Sequence, residues 1–137
     1  FADVGHPAAG AVGLAGLKIM QREKIVEKVK EHTAPYFNER WAGLGDHPLV
    51  GEARSLGLVG AIEIVKDKDS KQRFHKDLGA GSRCRDFCIA NGLVMRAVGD
   101  TMIVSPPLIF ENRHIDELVE KAWKCLDLTQ KSLESGS

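Results

Sequence analysis

Apolar positions along this chain keep two different periods, and the change from one to the other divides it into elements. Ile25, Val29, Thr33, Tyr36, Phe37, Trp41 and Leu44 recur every three or four residues, the spacing of one helix face. Pro35 lies inside that run and is expected to bend or interrupt it, having no N–H to give and a ring that crowds the turn before it. Upstream, "GHPAAGAVGLAGLKIMQRE" places Pro7 at a helix start and predicts a long N-terminal helix, with Gly10, Gly13 and Gly16 along one side. That small-residue stripe fits tight packing within the domain or contact with another domain or subunit. "GLGDHP", residues 43–48, reads as a loop. Strand composition follows on both sides of a turn or bulge at Ser55–Gly57, with Ile62 and Ile64 facing one way and Ala61, Glu63 and Val65 the other. The polar, glycine-bearing stretch 66–82 predicts a long surface loop, and 82–91 a short helix with Ser82 as N-cap and Asn91-Gly92 as stop.

"GLVMRAVGDTMIVSPPLIF", residues 92–110, reads as two short strands around a Gly99-Asp100 turn. Such a turn sets Val98 against Thr101, Ala97 against Met102 and Arg96 against Ile103. A final helix over about 112–133 carries Ile115, Leu118, Val119, Ala122, Cys125, Leu126 and Thr129 on its buried stripe, with Asn112 as its cap. The sum is an α+β fold: a small, mainly antiparallel sheet of about four strands, helices packed on one face, and long helices at the N- and C-terminal ends.

With 137 residues, the chain is expected to form a single domain, 1–137, large enough to bury one core. Lys plus Arg number 19, as do Asp plus Glu. The formal net charge is therefore zero, and no basic field exists to hold nucleic acid or an anionic membrane. The longest apolar run, Pro7 to Leu17, is about half of the roughly 20 residues a membrane span needs. Three cysteines, an odd number at low density, read as reduced and point to the cytoplasm. The chain opens at Phe1 without a methionine and is read as a piece of something longer.

Chemistry is sparse. Five histidines are scattered without metal-ligand spacing, and Cys84 with Cys88 lacks the second pair that would complete a zinc site. The glycines of 43–45 and 79–82 do not form a phosphate-binding fingerprint. Glu52 and Glu63 read as a solvated strand face. No catalytic residue and no metal are expected within these 137 residues.

Arg96 is the exception: one guanidinium in a strand that looks built for burial, with Val94 and Val98 beside it and no acid opposite. A buried guanidinium without a partner costs several kcal/mol. An anion is therefore expected from elsewhere: an acid of another segment, or a ligand carboxylate that fits the guanidinium fork.

"GHPAAGAV" at 5–12, "RSLGLVGAIEIVKDK" at 54–68 and the 92–110 hairpin, in that order, resemble the C-terminal small domain of class-III, fold-type-I, pyridoxal-phosphate-dependent aminotransferases, in particular the ω-transaminases that use pyruvate as acceptor. The resemblance covers essentially the whole chain. It implies a homodimer with active sites at the subunit interface, and pyridoxal 5'-phosphate held mainly by a large domain absent from this chain. It implies an amine or ω-amino acid as donor and a keto acid as acceptor, and a fragment inactive by itself. Arg96 matches the family arginine that binds the substrate carboxylate. Phe1 and Ala2 match the segment that reaches the cofactor phosphate, but Ala2 stands where the family has threonine and has no hydroxyl to donate. That departure leaves a second reading, a non-catalytic association module derived from a transaminase.

Overall fold

The computed structural model describes residues 21–135. The predicted helix from Pro7, its glycine stripe, and Phe1 and Ala2 lie outside the described residues. Helix α1 covers 21–28, and a π-helical turn, Val29–Thr33, leads into α2, Ala34–Ala42. Pro35 sits in the first turn of α2 and does not break the helix. The wider turn absorbs it: Ala34 N–H bonds Val29 O five residues back, which removes the strain a proline puts on the carbonyl four residues before it. A 3₁₀ turn, Gly43–Asp46, connects to the strands.

Strands β1, Val50–Leu56, and β2, Val59–Ile64, pair antiparallel around Gly57-Leu58. The turn is one step later than expected: Ser55 pairs with Gly60 inside the ladder, and Gly57 takes the positive φ of +59° that the turn requires. Helix α3, Ala80–Ala90, then precedes β3, Arg96–Val98, and β4, Thr101–Val104; α4, Asn112–Ser135, closes the chain. Sheet order is β1-β2-β4-β3, with antiparallel neighbours throughout. The β3/β4 register is the one the Gly99-Asp100 turn predicts: Arg96 opposite Ile103, Ala97 opposite Met102, Val98 opposite Thr101.

One sheet face carries Ile62, Ile64, Met102 and Val104, all buried, and the helices cover it. Trp41 and Phe37 of α2 stack with ring centroids 5.5 Å apart, and both are fully buried. They rest on Gly60, where a Cβ would come within 2.6 Å of Trp41 Cε2. The indole Nε1 donates to Ala61 O at 3.2 Å. Every residue of the predicted α4 stripe is buried, together with Leu133. Val65 departs from the expected outward set: it is buried just past β2, against the backbone of Gly51.

Polar stitches fasten the layer. His47 is fully buried; its Nε2 donates to Asp127 Oδ1 at 2.8 Å, and its Nδ1 accepts Leu49 N–H at 3.1 Å. One imidazole tautomer serves both bonds, and the ring ties the loop before β1 to α4. Cys84, Cys88 and Cys125 are free, buried thiols between α3 and α4. Contact with Cys84, and then burial, pushes the Cys88 thiol up, so it packs as a small neutral apolar group.

Two predicted caps are corrected. Ile115 N–H bonds Glu111 O, so Glu111 rather than Asn112 stands at the N-cap of α4, and His114 Nδ1 reaches back to the Glu111 N–H at 3.0 Å. Helix α3 begins two residues before Ser82. Gly79, in the left-handed conformation, is its N-cap, and the missing side-chain acceptor comes from Asp100. Local sequence cannot show a cap delivered by a residue 19 positions away.

Candidate functional site

The second sheet face is uncovered among the described residues. Pairing places Arg54, Ala61, Ile103 and Arg96 in one row across it, because directly opposed residues of antiparallel strands share a face. Two guanidiniums thus stand at opposite edges of one row, in different electrostatic settings.

Arg54 is saturated. Its Nη1 lies 2.8 Å from Glu52 Oε2 and 3.1 Å from Glu63 Oε2, while Arg73, from the long loop, takes the other Glu63 oxygen. Glu52 and Glu63 are cross-strand neighbours, and the two arginines neutralise a like-charge pair that would repel. The solvated-face reading is right for Glu52, which is exposed; Glu63 is half-buried, and both are ion-paired. Burial pushes the Glu63 carboxyl up, but Arg73 and Arg54 outweigh it and hold it below its ordinary 4.5. A carboxyl depressed on folding stabilises the fold above the unfolded pKa and loses that contribution as pH falls through the folded one. Glu63→Gln is therefore expected to be less stable than the parent chain near pH 7, with the difference closing below about pH 4.5. Urea unfolding across pH checks this; a deficit that stays constant with pH would assign Glu63 to packing instead.

Arg96 has no such partner. Among the described residues it makes no hydrogen bond and no ion pair. It is also exposed, as are its neighbours Val94 at 78% and Val98 at 54%. The sequence reading of a buried strand is corrected here. β3 is the edge strand, three residues long, and its apolar outer face is covered by nothing among the described residues. Arg96 borders a groove of about 470 Å³ whose walls include Val94, Ile103, Pro106, Pro107 and Phe110. A lone cation beside an apolar trough attracts a small anion with less competition from water than it would meet on an open polar surface.

Arg96 is the one sequence-identified site residue within the described part; Phe1 and Ala2 lie outside it. Among the described residues no group of three or more His, Cys, Asp or Glu is placed to hold a metal ion. No helix of the described residues is long and apolar enough to cross a membrane. Lys68 and Lys71 give their ammonium groups to Gly45 O and Gly51 O, and Lys121 pairs with Glu117 at 3.1 Å.

The family model for class-III aminotransferases matches residues 4–126. A putrescine–pyruvate aminotransferase of Pseudomonas aeruginosa is 57% identical over 129 residues, which are 94% of this chain and 28% of that protein. A mitochondrial γ-aminobutyrate transaminase of Solanum lycopersicum is 36% identical, over 98% of this chain and 26% of its own length. The crystal structure of an ω-transferase from Vibrio fluvialis superposes with a TM-score of 0.80 at 32% identity, over 91% of this chain and 30% of its own. A PMP-bound Vibrio fluvialis aminotransferase superposes at 0.77 and 34% identity, over 93% of this chain and 28% of its own. The chain thus spans between a quarter and a third of the length of these relatives. With residues 4–126 matched by the family model, the chain belongs to the class-III aminotransferases.

Proposed function

We propose that this chain is the C-terminal small domain of an aminotransferase that moves an amino group from an amine or ω-amino acid to a keto acid such as pyruvate, and that Arg96 binds the carboxylate of the acceptor. One observation carries this reading: Arg96 has no partner among the described residues and stands at the rim of a groove, while Arg54, in the same sheet row, is neutralised by two acids.

Class-III aminotransferases depend on pyridoxal phosphate, and one solved neighbour is PMP-bound. The cofactor supplies the electron sink of the reaction. Its site belongs to the large domain outside this chain, and the apolar outer face of β3 faces that domain or the second subunit of a homodimer. Within this chain, Arg96 orients the acceptor through two parallel hydrogen bonds to its carboxylate.

The isolated chain mixed with pyridoxal phosphate is expected to give no cofactor imine absorbance and no amine transfer to pyruvate; the full-length parent gives both. Turnover by the isolated chain would overturn this division of labour. A parent with neither property would favour the association-module reading.

A further inference from the structure

The hairpin that presents Arg96 is fastened at both ends, and one fastening has no structural alternative nearby. At its start, Leu93 N–H bonds Cys88 O at 2.8 Å, and Met95 Sδ lies 3.7 Å from Cys88 Sγ. At its turn, Asp100 acts twice. Its backbone O accepts Ile64 N–H at 2.9 Å, and its side-chain Oδ1 accepts Gly81 N–H at 3.0 Å in the first turn of α3. Gly79, the N-cap residue, has no side chain to offer that amide. The approach is close: a Cβ on Gly81 would lie 2.0 Å from Gly99 O. Between the two fastenings stand three residues, Arg96, Ala97 and Val98, paired with β4 on one side only.

We propose that Asp100 is a positioning residue for substrate binding: by seating the hairpin turn on the N-terminal turn of α3, it sets the direction from which Arg96 meets the carboxylate. This rests on the reading of Arg96 given above. Asp100 itself does not touch the ligand. A guanidinium fork and a carboxylate bond in parallel only over a narrow range of tilt, and an edge strand released at its turn twists away from that range. The carboxylate of Asp100 also favours the positive end of α3, which strengthens the seat.

The test uses the full-length enzyme, with pyruvate as acceptor and a diamine without a carboxylate as donor. Asp100→Ala is expected to raise the KM for pyruvate about tenfold and to leave the diamine half-reaction within about twofold. Asp100→Asn keeps an acceptor oxygen for Gly81 N–H and restores the KM for pyruvate. Asp100→Glu, which moves the carboxylate out by one methylene, gives a smaller rise with the same selectivity and serves if the alanine variant does not fold. In an Arg96→Ala background, Asp100→Ala adds nothing further to the KM for pyruvate. Equal loss on both substrates, or additive effects in the double variant, would overturn the proposal and leave Asp100 a fold residue. If Arg96→Ala impairs pyruvate and neither Asp100→Ala nor Asp100→Glu does, the Asp100 proposal alone fails. If Arg96→Ala leaves pyruvate unaffected, the Arg96 reading fails and this one with it.

Discussion

Arg96→Ala in the full-length enzyme is expected to lower kcat/KM for pyruvate about a hundredfold, while a diamine donor loses less than about threefold. Hydrogen bonds to a charged group contribute about 1.5–3 kcal/mol, and about 1.4 kcal/mol is a factor of ten. Two such bonds held by one rigid fork place the effect near the upper end of that range. Stability supplies the control. Arg96 has no partner among the described residues, so its removal strands no acid, and the fold is expected to change by less than about 0.5 kcal/mol. Arg54→Ala is the contrast: it leaves Glu52 and Glu63 facing each other across the β1/β2 ladder with Arg73 alone to offset them. Arg96→Lys keeps the charge but loses the fork, and recovers only part of the pyruvate activity. Equal losses for pyruvate and diamine would make Arg96 a structural arginine and remove the basis of the proposed function.

Trp41→Ala is expected to cost about 4 kcal/mol of folding stability, Trp41 being the largest fully buried side chain among the described residues. Trp41 is fully buried, stacks on Phe37, lies on Gly60 and donates its indole N–H to Ala61 O. Truncation leaves a cavity between α2 and β2 and removes a hydrogen bond to the sheet backbone. Nothing adjacent can collapse into that space easily, because the floor of the site is a glycine in a paired strand. Native domains have about 5–15 kcal/mol in total, so the variant should unfold at much lower denaturant or not accumulate. The midpoint of urea unfolding, read at unchanged slope, checks this. A loss below about 1 kcal/mol would mean that α2 does not anchor on β2. The less drastic Trp41→Phe should lose less, because it fills most of the volume.

Features that depend on near neighbours were legible in the chain. The Gly99-Asp100 turn specified the β3/β4 pairing residue by residue, since a two-residue hairpin admits one register. The α4 stripe was legible because helical periodicity over many residues has few competing explanations. Arg96 stood out as a charge without an acid at any local position. Features that depend on distant partners were not legible. Ser82 looked like a cap because serine is a good one, yet the helix begins two residues earlier, and Asp100, far along the chain, delivers the acceptor to Gly81 N–H. Pro35 was expected to bend or interrupt the helix, but the form of that interruption, a π-helical turn at Val29–Thr33 that keeps Phe37 and Trp41 on the buried side, was not legible. Val94 and Val98 looked like core, because apolar composition cannot tell a central strand from an edge strand whose cover lies elsewhere.

By itself, then, the amino-acid order determined where helices and strands form, which face of each is apolar, and that one arginine lacks a local counterion. These follow from side-chain period, turn chemistry and charge count, which act over a few residues. Only the tertiary structure decided that β3 lies at the sheet edge, that Arg54 and Arg96 share a row with opposite electrostatic fates, and that Asp100 seats the hairpin on α3. Those outcomes depend on which elements come to lie side by side when the chain closes around its core, and contacts between distant residues leave no periodic trace in the sequence.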